Sequence, residues 1–282
     1  MSASSSSSLP ASTSAEGVLP AAALPRRVRR LEPAALAAVM SRDVVIFGRY
    51  WPSTTFSSIV QPTIYLLAFG LGFGSLVAHI GHVSYVPYVA TGVVATAVLF
   101  SSAFPGMFNT FVRWQFQRTY DAMLATPLDV EELITAEVLW ISIRAGVYGM
   151  APLLVGIAFG LSPSWGMLLV PFIGFITGFG FASFGVVIAA VAKTIDNFNY
   201  VTSAVITPMF LVAGTFFPIS SLPPGIRVIA EFNPLYHCVQ LVRDAVFGVI
   251  GIADVGHLAV LVGFALLMWR LAIVLLGRRL ID

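Results

Sequence analysis

From Trp51 through Val112 the chain carries no Asp, Glu, Lys or Arg. A helix needs about 20 apolar residues to cross the hydrocarbon core of a bilayer, so a run this long holds two crossings joined by a short turn. In lipid the backbone must satisfy its own hydrogen bonds, which leaves helices as the element for such a run. The rest of the chain is built the same way. It is 58% hydrophobic and 10% charged, with a mean hydropathy of +0.91, whereas soluble domains carry about 25% charged residues. The fold class expected is an all-α polytopic membrane protein.

The apolar runs place six transmembrane helices at about 59–78, 86–111, 133–160, 166–192, 200–217 and 258–276. His79, Gly81 and His82 mark the turn between the first two, and Ser162-Pro163-Ser164 the turn after the third. Six crossings put both termini on one side. With the termini inside, Arg26, Arg27, Arg29, Arg30, Arg42, Arg49, Arg113, Arg118, Lys193, Arg278 and Arg279 are cytoplasmic, against Arg227 and Arg243 outside. The excess of positive residues on cytoplasmic segments selects this orientation.

Three segments are not simple crossings. Residues 1–30 are rich in Ser, Ala and Pro and end on four arginines. They read as a disordered cytoplasmic tail rather than a secretory signal, because no apolar core follows a basic start. Residues 31–52 read as an amphipathic interfacial helix: Pro33 suits a first helical turn, and Leu36, Met40, Val44, Phe47 and Trp51 share one face. A cytoplasmic helix docked on the protein fits the same pattern. The remainder, 53–282, is the six-span domain.

Within it, residues of about 113–126 form a cytoplasmic connection. Thr126-Pro127-Leu128-Asp129 reads as a capping box that starts the third span. Before it, a short helix mixes Gln115, Gln117, Arg118 and Asp121 with Tyr120 and Met123, a composition suited either to docking in a groove of another protein or to a solvated loop helix. On the outer side, about 219–250 is too long for a turn. Leu222-Pro223-Pro224-Gly225 and Asn233-Pro234 break it, which leaves two short re-entrant helices carrying Arg227, Glu231, Pro234, Tyr236 and His237. Non-helical backbone at that depth survives only where protein or water covers it.

The chemistry-bearing residues are few. Glu137 and Arg144 are seven apart, on one face of the third span, and read either as an intramembrane ion pair or as contacts along a transport pathway. The phosphate-cradling pattern G-x-x-x-x-G-K-[ST] does not occur, and the sole lysine, Lys193, has no glycines before it. No catalytic group is expected, so ATP and its Mg would be bound by a partner ATPase. Cys238 stands alone, which leaves no internal disulfide and no Cys-based zinc site. His79, His82, His237 and His257 all fall on the outer side and read as separate interfacial histidines, with no metal site. The net charge of +2 suggests no nucleic-acid partner. A rhomboid-like intramembrane serine protease is a rival, with Ser183 and His257 as its pair, but these lie at opposite depths while the chemistry needs about 3 Å. A stand-alone membrane protein without an ATPase is the other alternative.

Several stretches resemble a known family, the type-2 ABC exporter permeases, and within it the branch of the nodulation-factor (lipo-oligosaccharide) exporter permease, with the daunorubicin-resistance permease nearby. They are Tyr65-Leu66-Leu67-Ala68-Phe69-Gly70-Leu71-Gly72, Gln117-Arg118-Thr119-Tyr120-Asp121-Ala122-Met123-Leu124, Thr207-Pro208-Met209-Phe210-Leu211, Gly214-Thr215-Phe216-Phe217-Pro218, Pro234-Leu235-Tyr236-His237 and the ending Arg278-Arg279-Leu280. The resemblance covers roughly residues 48–280. It implies a bacterial cytoplasmic-membrane exporter in which two permease subunits, identical or different, pair above two ABC ATPase subunits. The segment from Gln115 to Thr126 would be its coupling helix. The substrate implied is amphipathic: a lipid-linked saccharide, a glycolipid or a lipophilic drug.

Overall fold

The computed structural model describes residues 31–77, 79–80 and 83–281. The expected tail at 1–30, and Gly81 and His82 of the expected outer turn, lie outside them.

Helix α1 (Pro33–Leu67) opens on the proline at its first turn and runs for 35 residues, about 52 Å at the helical rise. The segment expected as an interfacial helix and much of the expected first span are therefore one continuous helix. Pro52 and Pro62 lie inside it. A proline removes one backbone hydrogen bond, and nearby hydroxyls occupy carbonyls in both regions: Ser53 Oγ donates to Tyr50 O at 3.0 Å and Thr63 Oγ1 to Ile59 O at 2.7 Å. The helix then loosens into a π turn (Ala68–Gly72) and a 3₁₀ turn (Phe73–Ser75). A two-stranded hairpin of β1 (His79–Ile80) and β2 (Val83–Ser84) follows, pairing His79 with Ser84.

Helix α2 (Tyr85–Phe111) continues through a π turn (Val112–Phe116), and the chain reverses into α3 (Thr119–Leu124). Helices α4 (Val130–Tyr148) and α5 (Ala151–Ala158) follow, interrupted at Gly149 and Met150. A 3₁₀ turn (Trp165–Leu169) leads into α6 (Val170–Val191). The expected fifth span is a short helical run in which α7 (Asn197–Val201), a π turn (Thr202–Ile206) and α8 (Thr207–Leu211) follow one another without interruption, ending in a loop where Gly214 takes a φ of 80°. The outer segment holds α9 (Pro224–Glu231) and α10 (Pro234–Phe247). Asn233 caps α10 by accepting from Leu235 N, and Gly248, at a φ of 73°, ends it. Helix α11 (Ile252–Ile281) completes the chain.

Among the described residues, 4 helices are long and apolar enough to cross a membrane: Tyr85–Phe116, Val130–Ala158, Trp165–Val191 and Ile252–Leu280. The expected first and fifth spans are not among them. Ser53, Thr54, Thr55, Ser57, Ser58 and Gln61 dilute the apolar run of α1, and the helical run of the fifth ends at Leu211, ahead of the loop at Gly214.

Helix α2 is the centre of the bundle. Val89, Val93, Val94, Leu99, Ala103 and Met107 are buried, and α1, α4, α6 and α10 all pack on it. Lipid tails are as apolar as leucine, so close backbone approach has to replace the hydrophobic drive between membrane helices. The α2–α6 crossing does this with glycine: a Cβ on Gly106 would sit 2.5 Å from Ala182 O, and one on Gly185 2.5 Å from Ala103 O. Helix α11 sits at the periphery. It buries Leu261, Ala265, Ala272 and Leu276 along one face and exposes Leu266, Leu267, Leu271 and Val274, the one-sided pattern of a helix with lipid on its other face.

The 197–215 segment climbs antiparallel to α2. Phe198 packs edge-on against Phe108 and Phe111, Phe210 against Phe100, and Thr215 lies against Gly92.

Because any side chain at Gly106 meets backbone rather than a flexible tip, Gly106→Ala is expected to destabilise the protein by about 1–3 kcal/mol, the usual cost of overpacking. Gly263→Ala, where nothing lies within 4 Å, is the matched control. Thermal denaturation of the two purified variants in detergent checks this, and equal melting points would contradict the glycine crossing.

Candidate functional site

At one end of the bundle four elements meet around two buried carboxylates. Asp43 comes from α1 and Glu137 from α4, and both are almost fully buried. Asp43 Oδ1 accepts from Arg42 Nη2 at 2.9 Å and from Arg113 Nη2 at 3.0 Å. Glu137 Oε1 accepts from Arg113 Nη1 at 2.6 Å and from Arg42 Nη2 at 3.1 Å. Its other oxygen accepts a short hydrogen bond from the buried Tyr120 hydroxyl of α3. Arg42 Nη1 also reaches Met123 Sδ at 2.7 Å. Two cations and two anions cancel, and Arg113 bridges both carboxylates, which is how buried charge is tolerated. Burial, then the neighbouring Glu137 carboxylate, pushes the Tyr120 phenol well above the ordinary tyrosine range. The hydroxyl therefore stays protonated and remains a donor.

This network changes the expected roles of several residues. Glu137 pairs with Arg113 and Arg42, and among the described residues no ion pair or hydrogen bond joins it to Arg144. Seven residues put the two on one face but about 10 Å apart along the axis, too far for a direct contact when nearer arginines arrive from other helices. Tyr120 and Met123, expected to offer apolar contact to a partner, face inward onto Glu137 and Arg42. The box that opens α4 is Asp129 with Glu132, not Thr126: the Asp129 side chain accepts from the Glu132 backbone and Glu132 Oε2 from Asp129 N at 3.1 Å. Thr126 instead donates to Met123 O at 2.6 Å, at the end of α3. The sequence holds both candidate boxes, and the helix starts at the one whose fourth residue is Glu, a side chain long enough to reach back to the N-cap N–H.

The helix of the connection expected to be cytoplasmic is thus six residues long. It is turned back toward the bundle at Arg118, the one non-glycine among the described residues with a positive φ (51°). A bulky residue in this region carries strain. Here the reversal brings Tyr120 to Glu137. What faces outward is Gln115, Phe116, Gln117, Arg118 and Asp121, with an exposed contact between Arg118 and Asp121 at 3.4 Å.

In the segment expected to be outer, Arg227 donates to Ser220 O at 2.7 Å and to Leu222 O, and makes no ion pair with Glu231. Pro234 opens α10, and Tyr236 OH accepts from Gln240 at 3.0 Å. His237 and His257, expected to be separate, bring their Nδ1 atoms to 2.7 Å, and His237 Nε2 lies 2.8 Å from Glu231 O. Among the described residues no group of three or more His, Cys, Asp or Glu could hold a metal. Ser183 is buried with no hydrogen-bond partner, and His257 is engaged by His237, so the protease pair is not assembled.

Reading the sequence missed three members of the inner cluster, Arg42, Asp43 and Arg113, as well as Arg243. The last lies 3.8 Å over the Tyr88 ring and donates to Gly214 O at 3.1 Å. The available signal was an acid, Asp43, inside a helix otherwise read as interfacial.

Above the cluster, a cavity of about 500 Å³ opens between α1 and α2. Ser53, Thr54, Ser57, Gln61, Asn109 and Arg144 line one part of it. Tyr65, Phe100, Phe104 and Phe108 line another. A smaller cavity of about 180 Å³ below shares Thr54, Asn109 and Arg144 with it and reaches Asp43, Arg113 and Glu137.

Removing one member of the cluster leaves a buried charge unpaired. Arg113→Ala is expected to cost about 3–5 kcal/mol, and Tyr120→Phe, which removes one hydrogen bond to a carboxylate, about 1.5–3 kcal/mol. In a double-mutant cycle, Glu137→Ala and Arg144→Ala are expected to add within about 0.5 kcal/mol, as unpaired sites do. Chemical denaturation of the four proteins reads this, and strong coupling would restore the direct pair.

Residues 34–247 match the family model described as ABC-2 type transporter. The chain is 33% identical over 245 residues to Nodulation protein J of Neorhizobium galegae, covering 86% of this chain and 93% of that one. To Nodulation protein J of Rhizobium leguminosarum bv. viciae it is 34% identical over 246 residues, covering 86% and 94%. To the inner membrane transport permease YadH of Escherichia coli it is 25% identical over 244 residues, covering 84% and 94%.

Proposed function

Since this chain belongs to the ABC-2 type transporter family, and is the membrane subunit of an ABC transporter in a bacterial membrane, we propose that it exports an amphipathic substrate outward across the cytoplasmic membrane. The permease pairs with a second permease subunit, and ATP and Mg are bound by a separate ABC ATPase, because this chain carries no phosphate-cradling motif. The observation that carries the reading is α3. It is a short helix at the inner end of the bundle, outward-facing through Arg118 and Asp121 and tied inward through Tyr120 to Glu137 of α4. A helix so held transmits a push from the ATPase to the crossing helices instead of absorbing it.

The chain crosses six times, with both termini inside. The 197–215 segment supports the fifth crossing, since its aromatic contacts climb α2 from Phe111 to Gly92. Helix α1 supports the first: Asp43 lies at the level of Glu137, while Gly70 and Gly74 lie against Val86 and Tyr85 at the opposite end of α2. Helices α9 and α10 then form the re-entrant outer segment.

Two measurements test this. A reporter placed after Asp282 is expected to be cytoplasmic and one near Ser221 external, and the reverse labelling would sink the orientation. Asp121→Arg combined with Arg118→Glu is expected to lower permease-stimulated hydrolysis by a co-purified ABC ATPase about tenfold, the effect of ~1.4 kcal/mol at an interface, while membrane yield stays unchanged. If no ATPase associates with the wild-type chain, the exporter reading gives way to a stand-alone membrane protein.

A further inference from the structure

We propose that the α1–α2 cavity is a binding site for an anionic amphiphile with a hydroxyl-bearing head, its negative group held by Arg144. The proposal rests on the exporter reading where it identifies this ligand as the transported substrate.

Arg144 lies about 21 Å along α4 from Val130 at the helical rise, well inside the apolar stretch Val130–Ala158. Among the described residues it makes no hydrogen bond and no ion pair, and its Nε is buried without a partner. Of the carboxylates below it, Glu137 is fully committed, while Asp43 is held through one oxygen and keeps Oδ2 without a hydrogen-bond partner. Glu137 is taken by Arg113, Arg42 and Tyr120. Asp43 Oδ1 is shared by the same two arginines, and among the described residues no salt bridge or hydrogen bond joins Asp43 to Arg144. Since those four charges cancel, Arg144 is an excess positive charge. An ionised side chain at that depth is costly unless paired or facing a water-filled path, and such residues mark the routes of substrates and ions.

The walls around Arg144 narrow the ligand further. Thr54, Ser57, Ser58, Gln61 and Asn109 offer hydroxyls and amides to a polar head. On the α2 side, Phe100, Phe104 and Phe108 recur every four residues, so their rings form one continuous apolar strip. The cavity volume of about 500 Å³ falls in the range of small-molecule sites, about 300–1,000 Å³. A fixed cation, a hydroxyl-rich wall and an aromatic strip together match a head that is both charged and hydroxylated, joined to an apolar remainder. A cationic lipophilic drug would meet Arg144 as a like charge, and a plain hydrocarbon would leave the hydroxyl wall unpaired.

The test uses the purified full chain alone in uncharged maltoside micelles. The probes are octyl glucoside 6-phosphate, octyl glucoside, octyl phosphate and dioctanoyl phosphatidylglycerol, each titrated against the melting temperature. The sugar phosphate is expected to half-saturate at about tenfold lower concentration than octyl glucoside, as a charge-assisted hydrogen bond provides, and below octyl phosphate. Arg144→Gln should abolish the preference for charge and Arg144→Lys retain part of it. Ser57→Ala with Gln61→Ala should erase the advantage over octyl phosphate alone, and these variants carry the test if Arg144→Gln does not fold. Equal binding of charged and uncharged glucoside by the wild type, or an undiminished preference in Arg144→Gln, overturns the site. If phosphatidylglycerol matches the sugar phosphate with the same dependence on Arg144, a bilayer phosphate occupies the site and the assignment to substrate is overturned. No ATPase enters the assay, so a negative result leaves the exporter reading standing, and failed ATPase association leaves the anion site standing.

Discussion

The guanidinium of Arg113 lies between Asp43 and Glu137 and makes one contact with each. Through it the inner ends of α1, α2 and α4 meet at one point, and the Tyr120 hydroxyl adds α3 to the same point. None of these groups can leave its partners without exposing an unpaired charge in a poorly hydrated place. The cluster therefore fixes the spacing of the helix ends and the angle of the α2–α4 connection together. The φ of 51° at Arg118 follows from this: the chain has to reverse sharply for Tyr120 to reach Glu137, and the network holds a conformation that the local sequence disfavours.

Above that point the bundle relies on a different kind of contact. Charged groups give way to glycine and small residues, with Gly106 and Gly185 letting α2 and α6 touch backbone to backbone, and to the aromatic contacts of Phe100, Phe108 and Phe111 with the 197–215 segment. One end is held by an electrostatic joint, while the rest of the bundle is held by close backbone approach and aromatic packing. The cavity beside α2 lies where the two regimes meet, and Arg144 lines it.

Away from the carboxylate cluster, Arg243 provides a second fixed point. It stacks on Tyr88 of α2 and donates to the carbonyl of Gly214, to which the Tyr88 hydroxyl also donates at 3.2 Å. The break after α8 and the packing of α10 against α2 are thereby one feature, because the same arginine holds both. Its guanidinium is buried with no carboxylate within salt-bridge distance among the described residues, and is held by a ring, a carbonyl and the amide of Gln240.

The sequence by itself determined the solvent, the fold class and the positions of the long apolar helices α2, α4, α6 and α11. Their signal is local: a run without charge needs no partner to be recognised. It also determined the outer breaks, since Pro223-Pro224 and Asn233-Pro234 act on their own backbone. The tertiary structure decided which charges pair. Glu137 and Arg144 share a helix face, yet Glu137 is held by Arg113 and Arg42, which lie 24 and 95 residues away in the chain. Spacing along one helix cannot anticipate a contact delivered by another. The same reason explains why Tyr120 turned inward, why His237 met His257, and why α1 ran through Pro52 without a break. Each depends on a neighbour brought close only by the fold, and a hydrogen bond or ion pair acts over a few ångströms whatever the separation in sequence.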